Sequence, residues 1–125
     1  MDLHAGNWYV GWALILSGFV TGAGLGLFFH NEKFLDGYTS FRRRIIRLGH
    51  IALVALGMLN VLFSSSSQPR NDLSRLASFC MALGGVAMPL VCFLTGWKPV
   101  FRHLFVVPVA FLVLAVVLVL CGGPP

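Results

Sequence analysis

Four long apolar stretches alternate with short polar segments along the chain. They cover approximately residues 8–29, 45–63, 76–95 and 104–121. A helix needs roughly 20 largely apolar residues to cross the hydrocarbon core of a bilayer, because lipid offers the backbone no hydrogen-bond partners. The pattern therefore predicts an all-α fold, a four-helix transmembrane bundle that forms a single integral membrane domain over residues 1–125.

The composition of the chain agrees with a membrane environment. Of its 125 residues, 58% are hydrophobic and only 10% are charged, and the mean hydropathy is +0.86. A soluble domain carries about 25% charged residues. We therefore exclude a soluble enzyme, and we expect no nucleic-acid partner although the pI is near 9.7.

The basic residues predict how the bundle is oriented. Most of them share one side of the predicted bundle: Lys33, Arg42, Arg43, Arg44, Arg47, Lys98 and Arg102. Only Arg70 and Arg75 lie in or next to the connection on the other side. Because short cytoplasmic loops carry an excess of Lys and Arg, we expect both termini to lie outside. We expect the membrane to be a bacterial cytoplasmic membrane, and the basic loops to contact its anionic lipids.

Two histidines carry the candidate cofactor chemistry. His50 lies in the first turns of the second span and His103 opens the fourth, so both lie roughly 10–14 Å from the midplane on the same side. Two neutral imidazoles on separate helices can bind haem iron axially. We predict His50 and His103 as ligands of a haem b, with Arg47 and Arg102 beside them as partners of its propionates. The alternative is that these residues are interfacial anchors whose polar ends reach the lipid phosphates.

The softer side chains allow a second metal hypothesis. Met88 and Cys92 are four residues apart on the third span, and with a histidine they would favour Cu(I). The competing interpretation is that Cys80, Cys92 and Cys121 are small apolar packing residues. Asn60, a polar residue inside the second span, is predicted to hydrogen-bond across helices.

Small residues recur on one face of the first span. Gly18, Gly22 and Gly26 repeat every four residues. Such a face lets two helices approach closely. We expect it to pack against another helix of this chain, with a groove for a planar cofactor or a partner helix as the alternative.

The function predicted from these features is structural. All four carboxylates, Asp2, Glu32, Asp36 and Asp72, lie outside the predicted spans. This placement disfavours a proton-coupled transporter, which uses ionisable groups within the membrane. We expect a small subunit of a larger membrane complex, respiratory or photosynthetic, that supplies helix packing and a b-type haem or a site near a quinone. Its partners would be other membrane subunits or a second copy of the chain. The alternative is a stand-alone oligomeric carrier or channel for a small solute.

Overall fold

The computed structural model describes residues 3–66 and 71–122 of the chain, and those residues form four long helices without any strand. The helices are α1 (Leu3–Phe28), α2 (Phe41–Ser65), α3 (Asp72–Trp97) and α4 (Val106–Gly122). Short 3-10 segments occupy Phe34–Asp36 and Pro99–Phe105. Four spans, the last of them including Pro99–Phe105, are long and apolar enough to cross a membrane. The predicted all-α architecture of four helices is thus confirmed.

Helices α1, α2 and α3 all begin earlier than the apolar stretches predict. The first begins at Leu3 rather than near residue 8, and the next two begin at Phe41 and Asp72. Polar caps explain the two later starts. The Ser40 hydroxyl accepts a hydrogen bond from the Arg43 amide at 3.1 Å, and the Asn71 side chain accepts one from the Ser74 amide at 2.8 Å. Such caps satisfy amides that lack a partner in the first turn, so a polar turn can precede the apolar part.

The predicted fourth span is divided into two conformations. Residues Pro99–Phe105 form a 3-10 segment, and the α-helix begins only at Val106. Pro108 lies in the first turn of α4, where its missing N–H costs no hydrogen bond but where an α-helix entering from upstream would lose one. His103 therefore lies in a connecting segment, not in the first turn of an α-helix.

Helix α3 is the centre of the bundle. Helix α1 packs on α2, α2 packs on α3, and both α4 and the Pro99–Phe105 segment pack on α3, while α1 also touches α3. The buried residues of α3 run along its whole length, from Ser74 to Gly96. Pro89 is accommodated inside this helix, which continues without interruption to Trp97.

Glycines bring the helices close together. A Cβ added to Gly57 of α2 would lie 2.8 Å from the Gly11 carbonyl oxygen of α1, a distance that backbone atoms cannot relieve. In the predicted glycine face of α1, Gly18 contacts Val54 and Gly22 contacts His50, both on α2, whereas Gly26 faces open space. The first two glycines therefore take part in packing within this chain.

Candidate functional site

His50 lies half-buried where α2 meets α1. Its Nδ1 is 3.4 Å from the Thr21 hydroxyl, and its Cε1 lies 2.6 Å from the position that a Cβ on Gly22 would occupy. Further along the same face of α2, Val54 contacts Gly18 of α1. The face of α2 that carries the predicted haem ligand His50 is thus packed against α1.

The other predicted haem-site residues lie in different surroundings. His103 and Arg102 are exposed in the Pro99–Phe105 segment, which packs on α3. Arg47 is exposed as well, and its guanidinium carbon lies 6.0 Å from the centre of the Phe29 ring. The two histidines therefore lie beside different helices. His50 packs against α1, whereas the segment that carries the exposed His103 packs on α3. The haem hypothesis stays a prediction.

The sulfur residues pack between helices. Cys92 is completely buried at the α2–α3 contact, where its Cβ would lie 2.9 Å from a Cβ added to Gly49. Cys80 is also buried, Cys121 is exposed, and all three thiols are free. Across residues 3–66 and 71–122, no three or more His, Cys, Asp and Glu side chains form a group that could hold a metal ion. The Cu(I) alternative at Met88 and Cys92 also stays a prediction.

Arg43 is a buried cation that the sequence interpretation placed in a lipid-facing basic run. The residue is 1% exposed. Its guanidinium carbon lies 4.6 Å from the centre of the Phe29 ring and 4.4 Å from that of the Tyr38 ring. Its Nη2 donates a hydrogen bond to the Phe29 carbonyl oxygen at 3.0 Å, and Nε and Nη1 have no hydrogen-bond partner in the described part of the chain.

This arginine holds the end of α1 to the start of α2. Phe29 directly follows the last residue of α1, so the cation lies where the negative end of the helix dipole favours it. The two rings add cation–π attraction, which is stronger away from water. Helical spacing contains the signal that was missed: Arg43 lies two turns before His50, on the face of α2 that packs against α1.

A polar pocket opens at the same end of the bundle. We call it the basic end because most Lys and Arg residues of the chain lie in or next to its two connections, Phe29–Ser40 and Trp97–Pro99. The pocket has a volume of about 330 Å³ and is lined in part by Asp36, Ser40, Arg42, Thr95 and Trp97. The Asp36 carboxylate and the Arg42 guanidinium lie 3.6 Å apart. Charged groups of both signs therefore border one cavity.

A buried amide cluster joins three helices at the opposite end. The Asn7 amide donates hydrogen bonds to the Asn60 side chain at 3.2 Å and to the Ser78 carbonyl oxygen at 3.1 Å. The Asn60 amide in turn donates to the Leu56 carbonyl oxygen at 2.9 Å and, more weakly, to the Met81 carbonyl oxygen at 3.4 Å. The cross-helix role predicted for Asn60 is confirmed. The sequence did not predict the role of Asn7, because this residue precedes the first apolar stretch.

Comparison with protein-family models, curated proteins and solved structures finds no match to this chain. Its function must therefore be argued from the arrangement of its own residues.

Proposed function

We propose that the chain is a small polytopic subunit of a larger membrane complex, in which its helices pack against other subunits or a second copy of the chain. The observation that carries this proposal is the position of α4. This helix packs on α3 and on the segment that precedes it, and only its Pro108 and Ala115 are buried. Helices in lipid are held by close packing, since lipid tails are as apolar as the side chains. One packed face leaves most of α4 available to a partner helix.

An apolar groove beside α4 supports the same proposal. Helices α2 and α4 both pack on α3, and their side chains border a cavity of about 290 Å³. The groove is lined by Leu59, Leu62, Phe63, Ser66, Met81, Val116, Val119 and Leu120. A large aliphatic or aromatic side chain of a partner helix would fill this space and gain dispersion contacts that loosely packed lipid tails provide less well.

The orientation and the cofactor are finer parts of the proposal. The excess of Lys and Arg at the basic end supports an orientation in a bacterial cytoplasmic membrane with both termini outside. The Thr21 hydroxyl near His50 Nδ1 supports haem ligation through the other ring nitrogen, because ligating histidines are usually held by such a contact. The tight fit of His50 against Gly22 means that α1 would have to shift to admit a haem on that side.

Electrophoresis of the intact complex under native conditions tests the proposed assembly. Membranes solubilised in mild detergent should release the chain in a species much larger than its 13.6 kDa. Val116→Trp, which fills the groove, should remove the chain from that species. Val20→Trp is the control, because Val20 is an exposed residue of α1 and does not border the groove. A monomer that is unaffected by Val116→Trp would refute the subunit proposal.

A further inference from the structure

The pocket at the basic end lies beside the ends of two membrane-length helices. It is formed between the Phe29–Ser40 connection, the start of α2 and the end of α3. Both helices are long and apolar enough to cross a membrane. Trp97, one of its walls, is 71% exposed. Tryptophan is enriched where the hydrocarbon core meets water, because its ring is apolar and its N–H is polar. A ligand in this pocket would therefore be within reach of the bilayer surface.

The charges of the pocket favour a ligand that carries both signs. Asp36 and Arg42 lie 3.6 Å apart, with 70% and 44% of their side chains exposed. An ion pair so exposed gains little from its own attraction, so both groups remain available to a ligand. A simple anion attracted to Arg42 would be repelled by Asp36. A simple cation attracted to Asp36 would be repelled by Arg42. A zwitterion with adjacent charges satisfies both side chains.

Local hydrogen bonds hold Asp36 in this place despite a strained backbone. Leu35, Asp36 and Gly37 have φ values of 54°, 65° and 98°, and the left-handed region is unfavourable for a residue such as leucine. The Ser40 hydroxyl donates a hydrogen bond to the Leu35 carbonyl oxygen, and the Gly37 amide donates to that of Phe34 at 3.4 Å. The surrounding contacts therefore maintain a conformation that leucine would otherwise avoid.

An independent sign of a ligand comes from Thr95. This residue of α3 borders the pocket and is completely buried, and its hydroxyl has no hydrogen-bond partner among the residues that the structure describes. A buried hydroxyl without a partner is costly, and such groups are uncommon in folded proteins. The hydroxyl has almost no accessible surface in the structure, so a phosphate oxygen would accept this hydrogen bond only after neighbouring side chains of the pocket moved aside.

From these features we infer that the pocket binds the headgroup of a phospholipid with a primary ammonium, with the lipid phosphate at Arg42 and Thr95 and the ammonium at Asp36. The chemistry is that of phosphoethanolamine. A primary ammonium offers three N–H donors to the Asp36 carboxylate, whereas the quaternary ammonium of a choline headgroup offers none. The position at the ends of the spans favours the lipid over a soluble phosphate ester, because the lipid's acyl chains can remain in the adjacent hydrocarbon.

Native mass spectrometry of the full chain in detergent can measure this binding. The probes are phosphatidylethanolamine, phosphatidylcholine and phosphatidylglycerol with identical acyl chains. We expect the ethanolamine lipid to bind at least about tenfold more tightly than either of the others, which corresponds to one charge-assisted hydrogen bond lost. Equal affinities for the three lipids would overturn the assignment. Soluble glycerophosphoethanolamine that binds as tightly as the lipid would overturn the lipid source.

Matched variants separate the pocket from general attraction to a basic surface. Arg42→Gln should weaken ethanolamine-lipid binding about tenfold, while Arg44→Gln, at an exposed neighbour that does not border the pocket, should leave it nearly unchanged. Asp36→Asn should reverse the preference and favour phosphatidylglycerol, because the repulsion of a net anion is removed. Equal effects of the two arginine variants would show that the basic surface, and not the pocket, binds lipid.

Thr95→Val provides a test that does not change any charge. Valine has nearly the shape of threonine but cannot donate a hydrogen bond, so the variant should fold and bind the ethanolamine lipid several-fold more weakly. Thermal unfolding in detergent verifies that the variant is folded. Unchanged lipid affinity in a folded Thr95→Val protein would remove Thr95 from the site and contradict the proposed placement of the phosphate.

Discussion

Three consecutive arginines at the start of α2 have three different environments. Arg42 borders the polar pocket beside Asp36, Arg43 is buried between two aromatic rings, and Arg44 is exposed. Successive residues of an α-helix point about 100° apart, so the three side chains leave the helix in different directions. A basic run in a sequence predicts attraction to anionic lipid, but the helical phase decides which member is buried.

Replacing Arg43 with lysine should destabilise the protein by about 1.5–3 kcal/mol, the usual contribution of a hydrogen bond to a charged group. An ammonium cannot lie flat between the Phe29 and Tyr38 rings as a guanidinium does, and its shorter reach would weaken the bond to the Phe29 carbonyl oxygen. Unfolding in detergent and proteolysis of the Phe29–Ser40 connection measure the effect. Arg44→Lys is the control. If the two variants unfold alike, Arg43 does not hold the connection in place.

For single residues, the sequence predicted the role of the polar residue in the middle of an apolar stretch. It did not predict the roles of polar residues at the ends of such stretches. Asn60 stands alone among apolar neighbours, so its interhelical role could be expected. Asn7 and Thr95 lie near the ends of apolar stretches, where polar residues are common and carry no signal. Whether a hydroxyl such as that of Thr95 finds a partner depends on the neighbouring helices, which hydropathy does not identify.

The helices themselves were predictable, and their boundaries were less so. Apolar length predicts the part of a helix that lies in lipid, but α2 and α3 extend into polar residues because Ser40 and Asn71 cap them. The glycine repeat of α1 was informative only in part. Gly18 and Gly22 face α2, whereas Gly26 lies beyond the contact. The length of a helix–helix contact depends on the path of the neighbouring helix, which the repeat does not contain.

Substituting Gly57 with alanine should lower the free energy of unfolding by about 1–3 kcal/mol, as overpacking of a close contact does. The new methyl group would lie 2.8 Å from the Gly11 carbonyl oxygen, so α1 and α2 would have to separate. Gly24→Ala is the matched control, because a Cβ there has nothing within 4 Å, and alanine favours a helix by up to about 1 kcal/mol. Equal stability of the two variants in an unfolding titration would contradict this α1–α2 contact.

The amide cluster should act as one unit that joins α1, α2 and α3. We expect a double-mutant cycle of Asn7→Ala and Asn60→Ala to show a coupling energy of about 0.6–1.7 kcal/mol, the range found for hydrogen bonds between membrane helices. Unfolding in detergent of the wild type, the two single variants and the double variant provides the four free energies. Strict additivity would mean that the 3.2 Å hydrogen bond between the two side chains contributes nothing in the membrane.

For the whole molecule, the number of helices was predictable but most of their neighbours were not. The short connection between Trp97 and Val106 makes α3 and α4 neighbours. The haem hypothesis needed α2 to face the start of the fourth span, whereas the corresponding face of α2 packs on α1. In water, an apolar face must be covered by protein. In lipid, an apolar face can remain exposed, so hydropathy does not reveal which faces meet.

The orientation in the membrane can be tested by cysteine accessibility. In a Cys121→Ser background, which removes the exposed native thiol, cysteine at the exposed Thr39 should resist an impermeant maleimide added outside intact cells. Cysteine at the exposed Asp72 should react. The reason is that Thr39 lies at the basic end, which we expect inside. Labelling of Thr39 without labelling of Asp72 would invert the predicted topology.

The haem hypothesis makes a prediction that separates it from simple packing. If His50 and His103 hold a low-spin haem b, the purified complex should show sharp bands on reduction. His50→Ala or His103→Ala should then convert the haem to high spin or lose it, while His4→Ala should change nothing. If the wild-type complex carries no haem assignable to this chain, the hypothesis is wrong. His50→Ala should then still destabilise the α1–α2 contact, because the imidazole fills the space beside Gly22. His103→Ala should have little effect on stability, since His103 is exposed.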